Sequence, residues 1–247
     1  MHISIIPETI FHIFGLPITN TLITSWAVVI ALSLLAFLFA KTFKKIPGLV
    51  QSAVEWALEA LLKLMETVTG SRREAEKLFP FIATIFIFVL AANWIGILPG
   101  VGSIGIFEIH GEEKEFLPLF RSVNSDLNMT LALAVLAVTV SHILGFAASG
   151  IAGHVKTFIN FKSPLGFGVG VLELVSEGAK VISFSFRLFG NVFAGEVLLV
   201  IISFLIPYVA PVPFLGLELF VGLIQALIFA ILTLVFITSF TKAETPH

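Results

Sequence analysis

Long apolar runs alternate with short polar stretches along this 247-residue chain. About 20 consecutive apolar residues cross the hydrocarbon core of a bilayer as a helix, so each long run predicts a membrane span. Five runs qualify, at about 21–40, 78–99, 126–150, 164–206 and 210–241. The pattern therefore predicts an all-α, polytopic membrane protein, in which residues 1–247 form a single membrane domain with five membrane-embedded helices.

The segment at about 48–70 has a different pattern. Its polar residues share one helical face, and Leu, Val, Ala, Trp56 and Met65 fill the remainder. This arrangement predicts an amphipathic helix that lies on the membrane interface and ends at Gly70. The alternative, a sixth span, is disfavoured by the four charged residues in the segment. The polar residues of the shared face are Gln51, Ser52, Glu55, Glu59 and Glu66.

The positions of lysine and arginine predict the orientation. Five crossings place the two termini on opposite sides, and ten basic residues then fall on one side, whereas only Lys114 and Arg121 fall on the other. The positive-inside rule puts the N-terminus outside and puts the C-terminus and the amphipathic helix in the cytoplasm. The ten are Lys41, Lys44, Lys45, Lys63, Arg72, Arg73, Lys77, Lys156, Lys162 and Lys242.

The fourth run, at 164–206, is too long for one upright span. As a single helix it would extend about 65 Å, against a hydrocarbon core of about 30 Å, so it must tilt steeply or break. We predict a long, strongly tilted helix that folds back against the last run as a hairpin. Pro207, Pro211 and Pro213 mark the turn between them.

A single arginine, Arg187, lies inside the fourth run with no opposite charge within one helical turn. A charge at the bilayer centre costs at least about 2.5–3.5 kcal/mol, so it is a candidate functional group. At 100° per residue, Arg187 shares a stripe about 80° wide with Glu173, Glu177, Lys180 and Asn191. This stripe is expected to face protein or water. Two alternatives without an ion-transport role remain open. In one, Arg187 extends to the membrane interface or forms a structural pair with another helix. In the other, Glu173, Glu177 and Lys180 form a purely structural cluster. Small residues that allow close helix approach continue the stripe: Gly190, Ala194 and Gly195.

Glu196 is turned 180° from Arg187 on an ideal helix, so the two cannot pair. A buried carboxylate without a partner takes up a proton, which makes Glu196 a candidate proton carrier. The alternative is a protonated structural residue that is hydrogen-bonded between helices.

Further polar residues lie in the third and fifth runs. Glu218 and Gln225 share one face of the last run, and Asn128 and His142 share one face of the third. All four are candidates for an ion pathway or for hydrogen bonds that hold helices together. Asp126 is interpreted either as the cap of the third membrane helix or as a proton carrier.

The amino-acid composition of the chain excludes several classes of function. Apolar residues make up 57% of the chain and charged residues 12%, against about 25% charged in soluble domains. No basic cluster suits nucleic acid, there is no cysteine, and no leader peptide is expected at the N-terminus. No motif for a cofactor, a metal or a hydrolytic nucleophile occurs, so energy is expected from an ion gradient or a partner.

At this point several motifs carry a resemblance. Arg187 to Asn191 read RLFGN and are followed by Ala194-Gly195-Glu196. The second run ends in NWIGILP at 93–99, the third opens with SDLNMTLALA at 125–134, and Gln225-Ala226 lies in the last. In these motifs, from Ile18 onward, the chain resembles subunit a of F-type ATP synthases. Gly96 departs from members of that family that carry an Asp at this position.

The resemblance implies a non-catalytic stator subunit beside a rotating ring of small c subunits, with peripheral-stalk b subunits and the rest of the complex as partners. Two offset half-channels would pass protons or Na⁺ to and from ring carboxylates. Arg187 matches the essential arginine. Glu196, Asn191, Glu218 and Gln225 match the outer channel, and Glu173 with its neighbourhood matches the cytoplasmic exit. Asp126 or Glu218 replaces the acidic group missing at Gly96.

A membrane protein of another class remains as the alternative. An ion-coupled secondary transporter or channel acting alone also places charged residues near the bilayer midplane. The absence of an internal repeat in the sequence disfavours that class. Under the preferred interpretation, the chain resides in the bacterial inner membrane.

Overall fold

The computed structural model describes residues 7–98, 100–110, 113–158 and 164–242. These residues form six α-helices and two short antiparallel hairpins. The all-α class is therefore confirmed, and every helix except α2 is long and apolar enough to cross a membrane. The helices are α1 (Asn20–Thr42), α2 (Leu49–Thr69), α3 (Arg72–Ile95), α4 (Leu127–Phe158), α5 (Pro164–Leu205) and α6 (Pro211–Lys242). The hairpins join β1 (Thr9–Ile13) to β2 (Leu16–Thr19) and β3 (Gly105–His110) to β4 (Glu113–Pro118).

The helix ends differ from the predicted spans at particular places. Helix α3 begins at Arg72 rather than at 78, because its charged first turns precede the apolar run. It ends at Ile95, and Pro99, where the predicted span ends, lies outside the described residues. Helix α4 continues past Gly150, whose φ of 72° and ψ of 159° kink the chain. Helix α5 is one unbroken helix, about 63 Å long at 1.5 Å per residue.

Helix α2 is the amphipathic helix that the sequence predicted. It ends at Gly70, whose φ of 73° lies in the left-handed region and whose N–H donates to the Glu66 carbonyl. Its apolar side buries Leu61, Leu62 and Met65 against the helices beside it. Its position relative to a membrane stays a prediction.

One arginine joins the polar face of α2 to the start of α3. The Arg72 guanidinium donates to both carboxylate oxygens of Glu59, at 2.9 and 3.1 Å, and to Glu76 at 2.9 Å. The hydrogen bond from Arg72 lowers the pKa of Glu59. Since all three side chains are solvent-exposed in large part, this network orients α2 more than it stabilises the fold.

The helix bundle has two ends with different structures, which we call the hairpin end and the α2 end. At the hairpin end, the buried Asp126 accepts hydrogen bonds from the Thr21 hydroxyl at 2.8 Å and from the Asn128 N–H at 2.9 Å. Asn124 donates to Asn93 at 2.7 Å, and Asn93 donates to the Gly222 carbonyl at 2.9 Å. These bonds tie α1, α3, α4 and α6 together at one end.

The core lies where α4, α5 and α6 pack on one another and where α3 packs on α6. The buried face of α5 carries Phe184, Ser185, Leu188 and Val192. Ser185 shares a buried hydrogen bond of 3.0 Å with Thr130 of α4. This packing fixes which face of α5 is covered and which is left open.

Gly96 provides a test of the packing at the hairpin end. A Cβ at this position would lie 2.6 Å from Cβ and 3.1 Å from Cα of Ser122, so backbone would have to move. We expect Gly96→Ala to lower the free energy of unfolding by about 1–3 kcal/mol, the usual cost of overpacking. Thermal unfolding in detergent measures this change. Gly102→Ala is the matched control because nothing lies within 4 Å of its added Cβ, and equal unfolding midpoints for the two variants would contradict the packing.

Candidate functional site

Arg187 lies on an exposed face of α5. Its neighbour Leu188 is buried in the core, and the 100° turn between them directs Arg187 away from it. The side chain is exposed and makes no hydrogen bond or ion pair within the described part of the chain. A permanent cation therefore stands on an open helix face.

A cavity of about 280 Å³ lies beside Arg187 between α5 and α6. One water molecule occupies about 30 Å³ of liquid, so the cavity has room for several. Its polar walls come from α5, which places Arg187 and Lys180 at the same cavity. The lining includes Ser176, Lys180, Ser183 and Arg187 of α5 with Leu232 and Phe236 of α6.

A charged cluster lies toward the α2 end. Glu177 is buried, and its Oε1 accepts a hydrogen bond from the Lys180 ammonium group. The other oxygen, Oε2, lies 3.4 Å from Nε2 of His142 on α4 and accepts no hydrogen bond. The ammonium of Lys180 also lies 4.9 Å from the ring centre of Phe236 and 5.4 Å from that of Phe240. Three titratable groups from two helices thus meet at one point.

The polar stripe predicted along α5 is divided in the structure. Glu177 turns into the packed interior, whereas Arg187 and Asn191 are exposed and Glu173 is half-buried. The stripe is expected to face protein or water, and Glu177 faces protein, because α4 approaches α5 there and brings His142 against it. At Gly190, by contrast, nothing lies within 4 Å of an added Cβ, so the face beside Arg187 is open to close approach.

Glu196 has a partner, which corrects the expectation of an unpaired carboxylate. Arg121 lies with Nε 3.4 Å from Oε1 of Glu196, and its Nη2 donates to Oε2 at 3.5 Å. The Arg121 side chain is 10% exposed and that of Glu196 33%. The loop before α4 brings Arg121 to α5, and no helical spacing encodes that approach. Arg187 is not the partner, as the geometry of an unbroken helix predicted.

Glu218 of α6 lies against α5 at the hairpin end. A Cβ on Gly195 would come within 2.7 Å of Oε1 of Glu218, so the missing side chain makes room for this carboxylate. Oε2 of Glu218 is buried without a hydrogen-bond partner, and the charge of Glu196 is near enough to act on it. Gln225, seven residues further along α6, has no hydrogen bond within the described residues.

The two interpretations of Asp126 are separated by its contacts. Its carboxylate accepts the Asn128 N–H at the start of α4 and a hydroxyl from α1, and it is 4% exposed. These contacts support the helix cap. The Asn128 side chain is exposed.

Four residues outside the predicted set contribute to the site. Arg121 neutralises Glu196, and Asn93, Asn124 and Trp94 attach α3 to the loop before α4 and to α6. The sequence marks Asn93 as the start of a motif but predicts no contact for its side chain. Arg121 is one of the charges in a loop, and its position near the motif that contains Asp126 is the one sequence feature that points to a role for it.

Spacing along α5 places Arg187 between the two acidic groups. Glu177 precedes it by about 15 Å and Glu196 follows it by about 14 Å, at 1.5 Å per residue. The chain therefore presents a cation at mid-helix and titratable carboxylates at each end. No group of three His, Asp or Glu side chains within the described residues has the arrangement of a metal site.

Comparison with known proteins gives concordant matches. A sequence profile described as the ATP synthase A chain matches residues 22–238. ATP synthase subunit a of Moorella thermoacetica is 31% identical, with 96% of this chain and 98% of the relative covered. ATP synthase subunit a of Campylobacter jejuni is 33% identical, covering 87% of this chain and 86% of the relative. The Mycobacterium bovis protein of the same description is 35% identical, covering 93% and 89%.

Proposed function

Because this chain belongs to the ATP synthase A chain family, we propose that it is the ion-translocating stator subunit of an F-type ATP synthase. It is a multi-pass membrane protein that works beside a ring of c subunits, which carry the ionisable carboxylates. Peripheral-stalk b subunits hold it in place, and it performs no chemistry on ATP itself.

The observation that carries this proposal is the unpaired Arg187 on the exposed face of α5. A cation exposed to lipid alone is costly, so this face calls for an acidic or aqueous partner. The neighbouring Gly190 and Ala194 allow another helix to come close. A ring helix bearing one carboxylate satisfies both requirements.

The attraction between Arg187 and a ring carboxylate must be weak enough for the carboxylate to leave. Two unit charges 4 Å apart attract by about 4 kcal/mol at an effective dielectric of 20. A charge that crosses 100 mV gains only about 2.3 kcal/mol, so a dry pair would stop the ring. Water in the cavity beside Arg187 weakens the attraction enough for each carboxylate to leave. Since guanidinium does not lose its proton, it keeps the passing carboxylate ionised and blocks a direct leak.

Ions reach Arg187 by two separate routes in this proposal. The outer route enters at the hairpin end through Glu196 and Glu218 and continues past Asn191 and Gln225. The gap at Gly195 that accommodates Glu218 supports it.

The inner route leaves at the α2 end through Glu173, Glu177 and His142. The cavity that runs from Arg187 to Lys180 supports it. The N-terminus lies outside and α2 on the cytoplasmic side of a bacterial inner membrane. Lys162, one of the ten basic residues that predict this orientation, lies outside the described residues.

Purification in mild detergent tests the proposal. An affinity-tagged chain is expected to co-purify with ring subunits and with ATPase activity in one large particle. The rival function, a transporter acting alone, predicts a small particle without ATPase activity. Recovery of only the small particle from membranes that contain an active ATP synthase would contradict the proposal.

A further inference from the structure

The cluster at the α2 end contains more titratable groups than an ion pair needs. Glu177 and Lys180 form an ion pair within one turn of α5. Because one positive and one negative charge balance in this pair, the pair as a whole is neutral. The capacity to take up a further charge lies with the third member, His142.

One oxygen of the Glu177 carboxylate lacks a hydrogen bond. Its Oε2 is buried, without a hydrogen-bond donor, and faces Nε2 of His142 at 3.4 Å. A buried acceptor without a donor costs free energy, about 1–3 kcal/mol in typical cases. An imidazolium at this position would supply a donor and a charge together. The carboxylate is thus arranged to hold the protonated form of His142.

The titratable groups beside His142 include Glu177 and Lys180 of α5. Helix α4 packs against α5 and α6. From α5 it meets Glu177 and Lys180, and from α6 it meets Phe240, whose ring centre is 4.8 Å from the imidazole. Within the sequence 127–150 of α4, His142 is the only titratable residue. The other charged residues of α6 are Glu218, at the hairpin end, and Lys242, two positions past Phe240.

A route joins this cluster to Arg187. The cavity beside Arg187 reaches Lys180, and its lining also includes Ser176 and Ser183. Its volume of about 280 Å³ accommodates a chain of water molecules. His142 is 24% exposed, so it also has access to the surroundings of the helix bundle.

We infer that His142 is the group that releases protons at the inner end, held in place by the Glu177–Lys180 pair. This inference rests on the proposed function. A proton that arrives through cavity water binds Nε2 of His142, and the imidazolium donates a hydrogen bond to Oε2 of Glu177. Loss of the same proton to water on the α2 side restores the neutral imidazole. The cluster of Glu177, Lys180 and His142 thereby alternates between a net charge of zero and one positive charge.

The test is passive proton flux through the assembled membrane sector in vesicles, driven by a potassium diffusion potential. The pH on the α2 side is varied from about 6 to 8, the range over which imidazole titrates, with the other side fixed. Wild-type flux is expected to depend on this pH. His142→Gln is expected to lower flux about tenfold and to remove the dependence on the α2 side only. His12→Gln, at an exposed histidine of β1, is the control and is expected to match wild type.

A second variant guards against a merely structural effect. Glu177→Gln removes the carboxylate charge that faces Nε2 of His142, so its pH profile is expected to differ from that of wild type. A wild-type pH profile in His142→Gln or in Glu177→Gln would overturn the inference. If ATP synthesis in Arg187→Ala vesicles also matches wild type, the proposed function itself fails, whereas normal flux in His142→Gln beside an essential Arg187 contradicts only this inference.

Discussion

Replacing Arg187 with alanine is expected to abolish ATP synthesis driven by an ion gradient. Because cavity water weakens the attraction between the guanidinium and a ring carboxylate, the value of about 4 kcal/mol for a dry pair sets an upper limit of nearly a thousandfold on the loss in rate. Assembly should survive, because the side chain is exposed and makes no hydrogen bond or ion pair within the described chain. Without the cation, a ring carboxylate can pass still protonated, so the membrane is also expected to leak.

The measurement is ATP synthesis in inverted membrane vesicles, normalised to the amount of assembled complex. Arg73→Ala is the matched control, since Arg73 is an exposed arginine in the first turn of α3. Arg187→Lys should also fail for the most part, because an ammonium group can lose its proton when water is excluded. Normal ATP synthesis in Arg187→Ala vesicles would contradict the proposed role of Arg187.

The second large effect is expected at Glu196. Glu196→Gln preserves the shape of the side chain and an oxygen that can accept from Arg121, but it cannot carry a proton. We expect synthesis to fall about a hundredfold, within the range usual for the loss of a group that transfers a proton. Glu218 lies close by and is expected to supply the remaining activity.

Comparing Glu196→Gln with Glu74→Gln separates this effect from a general loss of acidic charge. Glu74 is exposed in the first turn of α3, far from the hairpin end. Synthesis is measured in both variants over a range of pH on the outer side. An unchanged rate in Glu196→Gln would show that ions enter by another route.

Local features of the sequence were sufficient to predict the helices. The apolar runs decide which segments become spans, and the charge pattern of 48–70 with Gly70 decides where α2 ends, because these are properties of neighbouring residues. The freedom of Arg187 was predicted for the same reason: no opposite charge lies within one turn of it on α5. That Glu196 faces away from Arg187 follows from helical periodicity alone.

Contacts between distant segments could not be predicted in this way. Arg121 and Glu196 are 75 residues apart, and only the folded loop before α4 brings them together. His142 meets Glu177 because α4 and α5 cross at a particular register, which no periodicity within either helix fixes. Each such contact changes the chemistry of a residue that the sequence had already singled out. Glu196 thereby gains a counter-charge, and Glu177 is buried against α4.

The two hairpins were missed for a different reason. Strand β2 (Leu16–Thr19) has only four residues, so no alternation could develop that would distinguish it from the start of a span. Strands β3 and β4 lie in a loop whose charged residues indicate the orientation of the chain in the membrane but not the pairing of two strands. Both hairpins lie at the end of the bundle where the outer route is proposed to open.

Two routes that meet only at Arg187 are the central claim, and silver ions test it directly. The chain has no cysteine, so Glu196→Cys and Glu173→Cys each introduce a single reactive site. Ag⁺ is added from one side of the membrane at a time, and inhibition of ATP-driven ion pumping is measured. Position 196 is expected to react only from the outer side, and position 173 only from the side of α2. Reaction of both positions from the same side would contradict the account.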